Sequence, residues 1–301
     1  MNVVVRDTPA LALQTLFQPI GAAGVFARTA LLEQVVEGLN RLITSERESG
    51  AEVFRFPPVM SRAQIETSGY LHSFPNLLGA VCCLHGKESE ILAAVDPNKP
   101  KSAWVGALSP TDLVLTPAAC YPLYPMVASR GAIPQSGLLF DVNCDCFRHE
   151  PSQQIDRLQS FRMREFVRMG QPDHILAFRK RWKARGEELA DILGLKHEVA
   201  PASDPFFGRV GKMLAASQVE QALKFELLIP VRVGEQPTAC MSFNYHQDHF
   251  GKTWDLRTAD GAVAHTGCVA FGIDRLALAL FTAHGLDLKQ WPASARSALA
   301  L

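Results

Sequence analysis

The chain has 301 residues, 48% of them hydrophobic, and its 30 basic and 30 acidic side chains cancel to a formal net charge of zero. A chain of this length buries a core of its own, as one large or two small domains. The neutral balance removes any global electrostatic case for tRNA or DNA as the main partner. Seven cysteines, Cys82, Cys83, Cys120, Cys144, Cys146, Cys240 and Cys268, are an odd number for this length and not a disulfide framework. No run of about 18 apolar residues marks a membrane span. The opening stretch MNVVVRDTPALALQ has no basic region followed by an apolar core, as a signal peptide would. The expectation is a soluble protein of the reducing cytoplasm, with no membrane and no nucleic-acid partner.

In chain order, residues 1–28 read as an arm with a short helix, interrupted by Pro9, Pro19, Gly21 and Gly24. Residues 29–48 carry Leu31, Leu32, Val35, Val36, Leu39, Leu42 and Ile43 at helical spacing, with Gly50 closing the helix. A strand at 52–56 runs into Pro57 and Pro58. The segment 81–84 reads as a buried strand, with Cys82 and Cys83 as small core residues. Residues 113–116 form a further strand; Ala118, Ala119 and Cys120 follow, and then a segment through Arg130 suits a helix.

The stretch 140–170, FDVNCDCFRHEPSQQIDRLQSFRMREFVRMG, predicts two strands joined by a polar loop. Arg148 and Glu150, two apart, share one face of the first strand; Phe161, Met163 and Glu165 share one face of the second. Arginine, glutamate and an aromatic ring on one surface suit a nucleotide floor, although charged solvent faces of hairpins are common. Cys144 and Cys146 also share a face and read as structural beside an apolar strand.

Residues 174–193 predict a second amphipathic helix ending at Gly194, with Arg179, Lys180, Arg181, Lys183 and Arg185 in one block. That block is either a solvated face or a docking surface for an acidic partner. The segment 205–229 reads as helical. An apolar strand at 239–243 then leads into Asn244, Tyr245, His246, Gln247, Asp248 and His249, a polar cluster of the kind that lines pockets. Residues 264–285 predict a strand, a break at Gly272 and a helix ending at Gly285, with Arg275 in its first turn.

Three elements stand in order: a helix and strand ending in Pro57–Pro58, the hairpin FRHE…SFRMREF, and the strand–helix CVAFGIDRLALAL. Together they resemble the three motifs of class II aminoacyl-tRNA synthetases over most of residues 29–285. The resemblance implies an α+β fold, an antiparallel sheet flanked by helices, in one domain over residues 1–301. It also implies a helical insertion at about 174–228 and a dimer interface at the first motif, hence a homodimer. The pattern is most similar to the zinc-dependent, atypical seryl-tRNA synthetases. Carried over residue by residue, it places zinc on Cys120, Glu165 and Cys268, the α-phosphate of ATP on Arg148 and the adenine amino group on Glu150. Adenine then stacks on Phe161, and Arg275 covers its other face and reaches the γ-phosphate. The acidic residue such enzymes use for magnesium is missing near Thr238; Glu235 and Asp248 are the alternatives.

A tRNA-binding domain before the core is not expected, because the core begins almost at once. A core of this zinc type without that domain resembles the amino acid:carrier protein ligases. The function this implies is ATP-dependent activation of a small amino acid, glycine or alanine, as an adenylate. The aminoacyl group would pass to the phosphopantetheine thiol of a carrier protein. The rival expectations are a truncated seryl-tRNA synthetase-like enzyme and a non-catalytic paralogue that senses an amino acid.

Overall fold

The computed structural model describes residues 13–301. The leader reading falls largely on residues 1–12, outside the described residues, as does the first part of the arm predicted over 1–28. The first strands described form a short hairpin, β1 (Phe17–Pro19) with β2 (Phe26–Arg28).

Helix α1 (Ala30–Ser45) buries Leu32, Val35, Val36, Leu39 and Ile43 on one side, as the apolar spacing requires. It stops three residues before the expected end. Glu46 leaves the helix and takes the Arg185 guanidinium at 2.7 Å, and the chain turns at Gly50, whose φ of +85° suits glycine. Strand β3 (Glu52–Arg55) comes next, then β4 (Val59–Ser61), α2 (Arg62–Thr67), α3 (Tyr70–Ser73), β5 (Ala80–Leu84), α4 (Glu88–Ala94) and β6 (Leu108–Leu115). Strands β4, β6 and β5 make a small separate sheet in that order. Because β5 is an edge strand of this small sheet, Cys82 and Cys83 are exposed, against the expectation of core residues.

After α5 (Leu123–Ala128) come the hairpin strands β7 (Leu138–Phe147) and β8 (Ser160–Gly170), then α6 (Pro172–Ile192). The stretch 174–228 is not a helical insertion throughout. It holds α6, β9 (Glu198–Pro201), α7 (Gly208–Glu220) and part of β10 (Lys224–Ile229). The segment KFELLI, read as helical from its apolar content, pairs with both neighbours as a strand, a tertiary choice that short apolar runs leave open. Strand β11 (Thr238–Gln247), α8 (His249–Thr253), β12 (His265–Gly272), α9 (Ile273–His284) and α10 (Ala293–Leu299) complete the chain. The break at Gly272 and the stop at Gly285 fall where the sequence puts them.

The central sheet has seven strands in the order β3-β7-β8-β12-β11-β10-β9, antiparallel except for β3 beside β7. Strand alternation gives it two different faces. One carries Phe166, Leu227, Met241, Phe243 and Phe271 against α1, α6 and α9, the main core. The other carries Cys144, Cys146, Glu165, Val167, Asn244 and Cys268 toward α5 and α8. Among the described residues no helix is long and apolar enough to cross a membrane.

Candidate functional site

The site lies on the second face, and strand register assembles it. Cys146 pairs with Phe161, Cys144 with Met163 and Val142 with Glu165 across β7 and β8. On the other side of β8, Glu165 pairs with Ala270 and Val167 with Cys268, and Cys268 then pairs with Asn244 on β11. Glu165 and Cys268 are therefore diagonal neighbours on one face.

The loop before α5 brings Cys120 over them, and its amide donates to Glu165 Oε1 at 3.0 Å. The Cys120 and Cys268 thiols hydrogen-bond to each other and to Glu165. Asn244 Nδ2 donates to Cys268 Sγ at 3.3 Å, and His246 Nε2 lies 3.7 Å from the same sulfur. The residues implied as zinc ligands thus meet.

Burial and mutual contact shift the acids of this cluster. Burial pushes the Glu165 carboxyl up. The hydrogen bond with Cys120 pushes the Cys268 thiol up, reinforced by burial and by Glu165. For Cys120 the bond to Cys268 favours the thiolate, yet burial and Glu165 outweigh it and the thiol is raised. Burial takes His246 down to about 4, so its imidazole is neutral at pH 7. Two thiols and a carboxylate in contact are a donor set that a borderline-soft divalent ion fits. As placed they bond to one another, and among the described residues no group of three or more such side chains forms a ready metal cage.

Arg148, Phe161 and Arg275 gather at one end of this face. Arg148 donates through Nε to the Pro117 carbonyl at 3.1 Å, and its guanidinium stands 5.4 Å from the Phe161 ring centroid. Arg275 in the first turn of α9 donates to the carbonyls of Asp156 at 3.0 Å and Ala239 at 3.1 Å. Burial lowers the Arg275 guanidinium below its ordinary range. Among the described residues neither arginine has a carboxylate in salt-bridge contact.

Glu150 departs from the expectation that it shares a strand face with Arg148. Strand β7 ends at Phe147, the His149 amide bonds across to the Leu77 carbonyl at 2.9 Å, and the Glu150 amide turns back onto Arg148. The chain has left the sheet before Glu150, whose half-exposed carboxylate lies 3.9 Å from Arg157. Of the two magnesium alternatives, Asp248 follows the far end of β11, where it pairs with Lys252 at 2.7 Å. Strand β11 runs ten residues from Thr238, beside Arg275, to Gln247, so Asp248 stands about 30 Å of strand away from the arginine end. Glu235 precedes the near end and pairs with Arg232 at 3.7 Å.

The basic block of α6 is mostly spent within the chain. Arg181 pairs with Glu48, and Arg185 with Glu46 and Glu188. Arg179 donates to the Ala222 carbonyl and lies over the Phe225 and Tyr245 rings, and Lys183 lies 4.5 Å from the Phe225 centroid. Sequence reasoning also missed Lys224. It faces the site beside Asn244, held by Asp204 at 2.6 Å and Glu226 at 3.0 Å. Reading KFELLI as a strand would have put Lys224 and Glu226 on one face.

No protein-family model matches the chain. Its sequence is 63% identical over 286 residues to "Amino acid--[acyl-carrier-protein] ligase 1" of Bradyrhizobium diazoefficiens, covering 95% of this chain and 88% of that protein. It is 59% identical to ligase 2 of the same organism, covering 95% and 86%. Among solved structures, M. kandleri SerRS in complex with A. aeolicus tRNASec superposes with a TM-score of 0.80 at 20% identity, over 96% of this chain and 59% of that one. The fold is that of class II aminoacyl-tRNA synthetases.

Proposed function

The chain belongs to the amino acid–acyl-carrier-protein ligases, and on that premise we propose that it activates a small amino acid, glycine or alanine, and loads it on the phosphopantetheine thiol of a carrier protein. It is an ATP-dependent ligase, and activation and transfer to a carrier are its two half-reactions. The observation that carries the residue assignments is the charge pattern of one sheet face. Two arginines that make no salt bridge among the described residues stand at its end, and a buried cluster of acids stands at its centre.

In the first half-reaction a carboxylate oxygen of the amino acid attacks the α-phosphorus of ATP and pyrophosphate leaves. Arg148, fixed through Nε on Pro117, is assigned to the α-phosphate, where negative charge builds. Arg275, fixed on two carbonyls, is assigned to the γ-phosphate, and Phe161 to the adenine ring. For the adenine amino group Glu150 remains the assignment, reached by its turn rather than by the strand. ATP is taken to bring magnesium, for which no protein ligand is assigned. Pre-positioned guanidinium groups do not have to reorganise as the charge develops.

Cys120, Glu165 and Cys268 are assigned as zinc ligands. Bound there, zinc would supply a Lewis acid for a neutral α-amino group. It would favour a free amino group and leave the side chain to be sorted by pocket volume. One methyl group is worth only about 1–3 kcal/mol in such sorting. In the second half-reaction the carrier's thiol sulfur attacks the aminoacyl carbonyl and AMP leaves.

Ion pairs take Arg181 and Arg185 of α6, and carrier docking is assigned to α7 instead. Phe207, Val210, Met213 and Leu214 are exposed at and after its start, next to exposed Arg209 and Lys212. Arg209 and Lys212 carry no salt bridge among the described residues. An apolar patch of this kind marks a protein contact, and its cations suit an acidic carrier domain. A homodimer through the exposed edge strand β3 completes the proposal; a monomeric mass by light scattering would remove that part.

The test is a transfer assay with ATP, magnesium and labelled glycine or alanine. Total tRNA is offered in one tube and phosphopantetheinylated carrier in another. Label on the carrier alone is expected. Label on tRNA would restore a synthetase, and absence of both label and pyrophosphate exchange would leave a non-catalytic protein.

A further inference from the structure

Residues 202–207 run from β9 into α7 as a strap fastened at several points. The Ala202 amide donates to the Lys224 carbonyl at 3.1 Å. The Asp204 amide donates to Gln218 Oε1 at 2.7 Å, and Gln218 Nε2 returns a bond to Asp204 Oδ2 at 2.9 Å. Asp204 Oδ1 accepts from Lys224 Nζ at 2.6 Å. Beyond Asp204, the Phe206 ring stacks on Phe74 with centroids 5.2 Å apart, and the Phe207 amide donates to the Ser73 carbonyl at 2.8 Å.

The strap and the helix also fit closely. Gly211 is buried in α7, and a Cβ there would come within 2.6 Å of the Phe206 backbone. Lys224, at the other side of the clamp, belongs to β10 and is the register partner of Asn244, which touches Cys268. One carboxylate therefore joins the helix carrying the exposed apolar patch to the strand forming the floor of the site. Its partners Lys224 and Gln218 come from those two elements. Among the described residues, Asp204 makes no hydrogen bond to Arg148, Phe161, Arg275 or the Cys120–Glu165–Cys268 cluster.

We infer that the Asp204–Lys224 clamp is a positioning device that holds α7 in register with the aminoacyl site, so that a carrier seated on α7 delivers its thiol to the adenylate. This rests on the carrier-loading reading above. The clamp acts on the protein body of the carrier and not on the chemistry of the thiol. The geometry gives Gln218 and Gly211 the same role from the helix side: one holds the carboxylate and the other lets the strap lie flat.

The experiment compares three reactions of wild type and Asp204→Asn: pyrophosphate exchange, transfer to carrier, and transfer to free pantetheine, which has the thiol arm without a protein body. Transfer to the carrier should fall about tenfold, mainly as a raised KM, while exchange and transfer to free pantetheine stay within about twofold. Gly211→Ala, which disturbs the packing of the strap on α7 at Phe206 without touching charge, should give the same pattern. Equal losses with carrier and free pantetheine would overturn the inference, because Asp204 would then act inside the site. An unchanged carrier reaction would overturn it as well. Loss of exchange in both variants would also do so, since the clamp would be holding the catalytic sheet itself. A wild-type protein that loads no carrier would instead remove the reading on which this rests.

Discussion

Strand β8 carries arginines on one face and Glu165 on the other, and the two faces treat charge differently. On the core side, Arg162 bonds Asp274 at 2.6 Å and Glu33 at 2.6 Å, and Arg164 bonds Asp141 at 2.5 Å. These pairs bind α9, α1 and β7 to the strand. On the other side, Glu165 sits among thiols, and nearby Arg148 and Arg275 donate to carbonyls and make no salt bridge among the described residues. Paired charge builds the fold. Charge held in place by neutral groups is what a triphosphate or a cation can still bind.

The largest expected effect tests the acid cluster. Purified protein should hold about one zinc per chain, and Cys268→Ala should lose it together with pyrophosphate exchange. Metal analysis decides this, and zinc kept by the variant would remove Cys268 from the ligand set. Next comes the core face. Arg164→Ala strands the buried Asp141, leaving it Arg47 at 3.4 Å among the described residues, and should cost about 3–5 kcal/mol in denaturant unfolding.

The partner experiment on the open face should show the reverse. Arg148→Ala should lower exchange by about 10²–10³-fold with little change in the denaturation midpoint. If Arg148→Ala destabilises as much as Arg164→Ala, the contrast between the faces fails.

His246 gives a pH-dependent test. Its folded pKa, about 4, lies below the ordinary 6.5, so the unfolded chain binds more protons between those values. Stability contributed by neutral His246 is therefore present above about pH 6.5 and is lost as pH falls toward 4, a change on the order of 3 kcal/mol. Unfolding of the metal-free protein at pH 7 and pH 4.5 measures it, and His246→Gln should flatten that part of the profile. The smallest effect belongs to α6. Arg181→Glu breaks an exposed pair with Glu48 and should change stability by under about 1 kcal/mol. It should also leave carrier loading near wild type, whereas Met213→Asp on α7 should weaken loading.

The sequence alone determined the elements whose signals are local. The apolar spacing of residues 30–45, the alternation of Phe161, Met163 and Glu165, and the glycine punctuation at Gly272 and Gly285 depend only on near neighbours in the chain. The three ordered motifs add the family likeness. Tertiary structure decided whatever depends on partners far along the chain. It paired Arg185 and Arg181 of α6 with Glu46 and Glu48, and it exposed Cys82 and Cys83 on an edge strand. It pulled Glu150 off the sheet through the Leu77 carbonyl, and it made 224–229 a strand with Lys224 facing the site. Periodicity is written in consecutive residues and survives without the fold. Charge pairing and burial are set by which distant segments meet, and no window of sequence contains both partners.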